Sequence, residues 1–293
     1  MRSGVLNLNK PAGATSFSAV RRLRELTGAK RVGHAGTLDP LATGVLPILF
    51  ESATRLADFA HRLPKEYVAD VHLGFTTETD DAEAEPQPVA SPAHLAADDV
   101  SRALAGFVGR IHQEPPAFSA VKVEGERAYR RARRGELERP PAREVEIIAA
   151  EVMDYTPGER PVARIRVVCG SGTYLRSLAR DLGLALGVGG YLGELVRSAY
   201  GPLRIEEAVE MEALDGPEDV ERRLLSAEVV LPDMEAVRLT IEQEAMVRQG
   251  RAVRVLPEPG GGPLRAHNAE GRLVALGHCD PLRRTFVPEK VLN

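Results

Sequence analysis

The first apolar run, Val5–Asn9, is short and reads as a strand. Thr15 and Ser16 then precede Val20, Leu23 and Leu26, spaced three apart and closed by Gly28, which predicts a capped helix with one apolar stripe. Val45–Phe50 is apolar almost throughout, the pattern of a buried strand, and a short helix capped near Ser52 is expected after it. Tyr67–Leu73 alternates with period two, as a strand does. Thr76–Pro92 is acidic and proline-rich and predicts a long exposed loop, and Asp98–Leu104 reads as a helix. Glu144–Tyr155 and Val162–Cys169 form a strand pair across Pro157-Gly158. Thr173 is the expected cap of a helix over Tyr174–Leu186, with Leu175, Leu178, Leu182, Ala185 and Leu186 on one face.

Strands and helices alternate without the βαβ rhythm of a doubly wound sheet, so the fold class is α+β with a mostly antiparallel sheet. A boundary is expected near Leu231-Pro232-Asp233. Beyond it, a helix over Leu239–Gly250 and short strands at Leu264–Asn268, Arg272–Gly277 and Arg284–Val287 suit a compact β-rich module. The expected division is therefore 1–232 and 233–293. There is no internal repeat.

Charge changes the picture more than composition does. The net charge of −4 argues at first against a nucleic-acid partner. Its distribution reverses the argument. Residues 1–35 hold seven Lys or Arg against Glu25 alone, and residues 127–143 hold seven Arg. Acids concentrate elsewhere: seven in residues 75–101 without a Lys or Arg, and eleven in 206–235 against Arg222 and Arg223. Phosphate responds to local potential, so an acidic protein can carry a basic face, although solvated helix faces give the same pattern. No run is long and apolar enough to span a membrane, and no signal peptide is visible, so a soluble, cytoplasmic protein is expected. Cys169 and Cys279 are too few for a disulfide framework and lack zinc-ligand spacing; no metal is expected.

Candidate chemistry centres on Gly33-His34-Ala35-Gly36-Thr37-Leu38-Asp39-Pro40-Leu41-Ala42-Thr43-Gly44. One carboxylate sits in a loop punctuated by glycine and fixed by Pro40, leading into an apolar strand. Asp-Pro most often caps a turn, and alone this segment would be read so. It is accompanied, in order, by Val5-Leu6-Asn7-Leu8-Asn9-Lys10-Pro11-Ala12-Gly13 before it and by Lys65-Glu66-Tyr67 and Gly172-Thr173-Tyr174-Leu175-Arg176 after it.

Together these segments resemble the TruB family, the bacterial synthases that make pseudouridine at position 55 in the T-loop of tRNA. The resemblance runs from about Val5 to about Ser198. It implies the pseudouridine-synthase fold, a mixed sheet with a cleft across its middle, followed by a PUA-like RNA-binding domain. It implies a base-flipping isomerase that acts on the T-arm of tRNA and needs no cofactor or metal; a monomer is expected. In the family the Asp of the GHxGxLDP loop is the catalytic carboxylate, here Asp39, and Arg176 matches its paired arginine. Position gives Arg176 modest independent support. It lies in the first turn of its helix, where the macrodipole disfavours a cation unless an anion stands nearby.

By the same resemblance, Tyr67 stacks on the target base and is placed to assist proton transfer, and Tyr174 lines the pocket. His34 fills the gap left by the flipped base, Lys10 and Pro11 shape the pocket wall, and Asp81 is a further acid near the RNA. Glu114–Lys122 and the arginine run after it resemble an RNA-gripping insertion over about 112–143. Arg130, Arg131, Arg133 and Arg134, with Tyr129 among them, offer cations and one flat ring to a phosphate backbone. One departure stands out: after Tyr191-Leu192 the family commonly has Arg-Arg, and this chain has Gly193-Glu194. Leu192 is expected to line the base pocket, without those arginines. No GxxxxGK[ST] loop is present, and Gly187-Val188-Gly189-Gly190 lacks the third glycine of a dinucleotide site. The alternative function is a catalytically silent RNA-binding protein or tRNA-folding chaperone; it would tolerate loss of Asp39, Tyr67 or Arg176, and all three are present.

Overall fold

A computed structural model describes residues 1–119, 121–123, 125–132, 134–136, 138–255, 262–280 and 282–292. Ten of its strands form one sheet: eight run along the path Val209–Glu210, Gly4–Lys10, Thr43–Phe50, Gly190–Tyr200, Lys65–Leu73, Val162–Cys169, Arg143–Thr156, Gly109–Gln113, and two lie off it, Val32–His34 beside Thr43–Phe50 and Leu203–Arg204 beside Gly190–Tyr200. Two of these neighbours pair in parallel, Gly4–Lys10 with Val209–Glu210 and Thr43–Phe50 with Gly190–Tyr200; the others along the path are antiparallel. The expected α+β class with a mixed, mostly antiparallel sheet is what the chain adopts.

The first helix, Ser16–Thr27, begins where Thr15 accepts a hydrogen bond from the Ser18 amide at 3.0 Å and ends at Gly28. Its buried positions Ala19, Val20 and Leu23 cover the sheet. Thr43–Phe50 is buried at every position after Thr43, which explains its unbroken apolar run. Along Lys65–Leu73, buried and half-buried residues alternate, so Lys65, Tyr67, Ala69 and Val71 share the inward face.

Three expectations change. No side chain at Ser52 caps a helix; a 3-10 turn, Glu51–Leu56, runs straight into the helix Ala57–Arg62. The helix after Thr173 spans Leu175–Ala185, and its start is held from outside: Gln113 accepts from the Tyr174 amide at 2.8 Å and donates to the Tyr174 carbonyl at 3.1 Å. Ala185, expected inside, is exposed. Thr76–Pro92 is not uniformly exposed either. Phe75–Thr76 pairs with Gln87–Pro88, and Thr77, Asp80 and Asp81 between them are buried.

Past Asp233, a second sheet of five strands gathers around Val237, Val247, Leu264, Val274 and Phe286. Leu276 and Leu292 of this sheet pack with Tyr200, Val230 and Leu231, which closes it onto the body of the protein. The segment between Gln113 and Arg143 carries a hairpin, Lys122–Val123 with Glu126–Arg127, and a helical turn, Ala128–Ala132. No helix among the described residues is long and apolar enough to cross a membrane.

Candidate active site

A cleft of about 440 Å³ opens at the centre of the ten-stranded sheet. Its walls come from the loop Gly36–Asp39, from Lys65 and Tyr67, from Leu195 and Arg197 on the neighbouring strand, and from Gly170–Arg176. A larger hollow of about 670 Å³ lies elsewhere, between Phe75, Val89 and Pro92; Glu159 is the one ionisable residue among those lining it, so it offers little for catalysis.

Two glycines shape the Asp39 loop by close approach. A Cβ on Gly36, at φ +76°, would lie 2.9 Å from the Tyr200 ring. One on Gly44, at φ +100°, would lie 2.3 Å from the Arg197 carbonyl. Between them, Lys10 ties the loop from behind: its ammonium donates to the carbonyls of Ala14 at 2.6 Å, Pro11 at 2.8 Å and Pro40 at 3.3 Å. Lys10 is fully buried, and burial pulls its pKa down to about 8. It is therefore a brace for the loop and does not face the cleft, a more indirect place than direct contact with substrate.

Asp39 stands at the cleft with its side chain about one-third exposed, and its carboxylate lies 3.0 Å from Nε of Arg176. Arg176 is 5% exposed, which rules out a solvent-directed side chain. Its remaining donors reach the Phe118 carbonyl at 3.0 Å and the Thr79 carbonyl at 3.3 Å, and Nη1 lies 3.4 Å from the Asp81 carboxylate. Asp81 is itself fixed by Thr79 Oγ1 at 2.5 Å and the Glu83 amide at 3.0 Å. Of the two adjacent acids, Asp81 is the one brought to Arg176. Asp80 is gripped instead by Arg139, through two bonds of 3.1 Å, and by Arg180 at 3.1 Å. Burial pushes the Asp80 carboxyl up to about 6 against the pull of Arg180 and Arg176.

Tyr67 forms the cleft wall beside Asp39, 9% exposed, with Arg197 close by and its pKa raised by burial. Tyr174 is half-buried on the opposite wall under the Arg143 guanidinium, 5.1 Å from the ring centre. His34 lies in the strand Val32–His34, outside the cleft lining, with Nδ1 buried and unpartnered. Burial, with Arg197 and His61 nearby, lowers its pKa. The histidine that does line the cleft is His61, which the sequence reading missed.

Leu192 does not line the cleft. It is fully buried, pairs with Val71 and bridges Asp81; Leu195, one turn of the pleat further and past a bulge, takes the wall position. The wall does not lack an arginine either. Arg197, 1% exposed, donates to the Val45 carbonyl at 2.6 Å and the Gly36 carbonyl at 3.1 Å, so it grips the Asp39 loop at both ends. A lone arginine in an apolar strand, in phase with Leu195, was the one signal for it. The arginine run is less available than expected. Arg134 binds Glu126 through two bonds of 2.7 and 2.8 Å, and Arg131 binds Glu136 and Glu138, each at 3.0 Å. Arg130 is exposed, and Arg133 lies outside the described residues. No group of His, Cys, Asp or Glu suited to a metal ion occurs among the described residues.

Residues 24–175 match the TruB family pseudouridylate synthase N-terminal domain, and residues 176–237 the tRNA pseudouridylate synthase B C-terminal domain. A tRNA pseudouridine synthase B of Gloeothece citriformis is 38% identical over 302 residues, covering 99% of this chain and 97% of its own. One of Dehalococcoides mccartyi is 41% identical over 281 residues, covering 94% and 91%. Two solved assemblies share the fold: a Cbf5–Nop10–Gar1 complex (TM-score 0.74, 27% identity, 99% of this chain and 85% of that one) and an H/ACA ribonucleoprotein bound to a substrate RNA containing 2′-deoxyuridine (0.73, 25%, 99% and 85%). The chain belongs to the TruB family of pseudouridylate synthases.

Proposed function

We propose that this TruB-family enzyme isomerises uridine 55 in the T-loop of tRNA to pseudouridine, with Asp39 as the catalytic carboxylate. That the substrate is a tRNA uridine follows from the curated relatives, which are tRNA pseudouridine synthases over nearly the whole chain. The observation that carries the site assignment is the Asp39–Arg176 pair at 3.0 Å, at the mouth of a cleft whose wall is Tyr67.

The reaction breaks the N1–C1′ bond, turns the base and rejoins it through C5, with no net redox change or hydrolysis. A carboxylate can serve as nucleophile or as base at the sugar. Arg176, shared with Asp81, is placed to orient Asp39. The cleft admits one flipped nucleotide; stacking on Tyr67 contributes about 1–3 kcal/mol per base, which offsets the few kcal/mol of unstacking. Tyr174 and Arg143 close the opposite wall. The segment 112–143, with Arg130 exposed on it, and the C-terminal sheet, in the role of a PUA-like module, hold the T-arm outside the cleft.

Incubating the pure protein with an unmodified tRNA transcript and mapping pseudouridine tests the proposal. Conversion at position 55 is expected; conversion elsewhere in tRNA would move the site, and none would leave the chain as the silent RNA-binding alternative.

A further inference from the structure

Lys10, Lys65 and Arg197 are 0%, 6% and 1% exposed, and none of the three is in an ion pair among the described residues. Their partners are neutral. Lys10 donates to three carbonyls, Lys65 to the His61 carbonyl and to Ser171 Oγ at 3.0 Å, and Arg197 to the carbonyls of Val45 and Gly36. Two of them also face one ring: Lys65 lies 4.9 Å and Arg197 5.0 Å from the centre of Tyr200. Three arginines around Asp80 and Asp81 are arranged differently. Arg176 meets Asp39 and Asp81, while Arg139 and Arg180 meet Asp80. Fully buried cations without a carboxylate partner are thus gathered on the wall that carries Tyr67; on the opposite wall Arg143, which donates to the Gly172 carbonyl, is only half-buried.

Burying a cation without a counter-ion opposes folding, so these three are not explained by stability. The carboxylate that acts on Lys10 is Asp39, already shared with Arg176. As built, the wall has positive charge to spare for an anion. Phosphates flank the ribose and stay at the rim, whereas Lys65 and Arg197 line the interior beside Tyr67, where the base is proposed to lie.

We propose that Lys65 and Arg197, backed by Lys10, hold the negative charge of the uracil while it is detached from the ribose. This rests on the reading of the site as a pseudouridine synthase. When N1–C1′ breaks, the electron pair goes to N1 and spreads over O2 and O4, and the base is an anion until C5 bonds to C1′. The C5 proton is then lost and one is gained at N1, so no atom is gained or lost overall. Preorganised positive charge stabilises such an anion without reorganisation at the moment of bond breaking.

The test uses T-arm hairpins with uridine or 5-fluorouridine at the target position, in single turnover, read as loss of the intact nucleoside. Fluorine makes the base a better anion, so it relieves dependence on the wall. Lys65→Met removes an unpaired buried charge, so folding is expected to persist; its thermal midpoint checks this. The expected result is a loss of about 10²-fold with uridine at near-normal hairpin binding, as for removal of one preorganised donor. Fluorine should accelerate the variant more than the wild type. Arg197→Lys, which keeps charge but not the forked grip, should keep the wild-type fluorine effect even where it is slow. A wild-type rate in Lys65→Met, or an equal fluorine effect in a slowed Lys65→Met, overturns the inference and leaves Lys65 a structural brace. If the wild type itself consumes no uridine, the functional reading fails and takes this inference with it; an unchanged fluorine effect in an active enzyme fails the inference alone.

Discussion

Arg176 stands 3.0 Å from Asp39 although it occupies the second position of the helix Leu175–Ala185, where the helix dipole repels a cation. The carboxylates of Asp39 and Asp81 make that position tenable, and the same contacts orient Asp39. Replacing Asp39 with Asn keeps the shape but removes nucleophile and base alike. Isomerisation should be abolished, with tRNA binding close to that of the wild type. Turnover by Asp39→Asn above a small fraction of the normal rate would take Asp39 out of the mechanism.

Arg176→Lys tests the orientation separately. The guanidinium serves two carboxylates and two carbonyls at once, which a single ammonium cannot do. Leaving a buried carboxylate such as Asp81 poorly matched costs about 3–5 kcal/mol when a partner is removed outright, so the lysine variant should lose both stability and rate. Thermal unfolding and single-turnover kinetics measured together would show it; a silent substitution would mean that charge alone suffices.

For Tyr67 the hydroxyl and the ring can be separated. Tyr67→Phe keeps the stacking surface and loses the hydroxyl; Tyr67→Leu loses both. If the hydroxyl helps move a proton, Phe slows the chemical step strongly in single turnover while binding holds. If the ring only stacks, Phe is nearly silent and Leu costly. The first pattern is expected. Two variants that both turn over at the wild-type rate would make Tyr67 a core residue.

The Asp39 loop was legible in the sequence because its determinants are local: glycine, proline and a following apolar strand. The Arg197 grip was not, since its carbonyl partners at Val45 and Gly36 lie 152 and 161 residues away. The same holds for the helix start at Tyr174, where Gln113 does what Thr173 was expected to do from 61 residues' distance. Composition misled at Thr76–Pro92. Acidic residues usually signal solvent, yet Arg139, Arg180 and Arg176 draw Asp80 and Asp81 inside. Fold class needed only periodicity and the order of elements, and so survived these local errors.

The arginine segment makes a prediction of opposite sign to the usual one. Arg131 and Arg134 are held by Glu126, Glu136 and Glu138, so phosphate must compete with those carboxylates. Glu136→Gln, which contacts both arginines, should strengthen tRNA binding at low salt and steepen its salt dependence. Each arginine released to phosphate adds roughly 0.7–0.9 to the log–log slope. An unchanged slope would place the RNA footprint away from this segment.

The last prediction concerns stability and pH at Lys65. Burial pulls its pKa from 10.5 down to about 8, so between those values the unfolded chain keeps a proton that the folded protein has released. Stability rises with pH wherever the unfolded state binds more protons, so this residue's contribution is flat below about pH 8 and grows from there towards pH 10.5. Lys10 behaves alike, but it is present in both proteins when wild type is compared with Lys65→Met, and its contribution cancels. The stability of the wild type relative to Lys65→Met should therefore be constant from neutral pH to about 8 and then increase, by about 1–2 kcal/mol near pH 9.5. Denaturant unfolding of both proteins across that range measures it. A difference that stays level through pH 9.5 would mean that Lys65 keeps its proton in the fold, and a difference that falls would mean that a neighbouring anion raises its pKa instead.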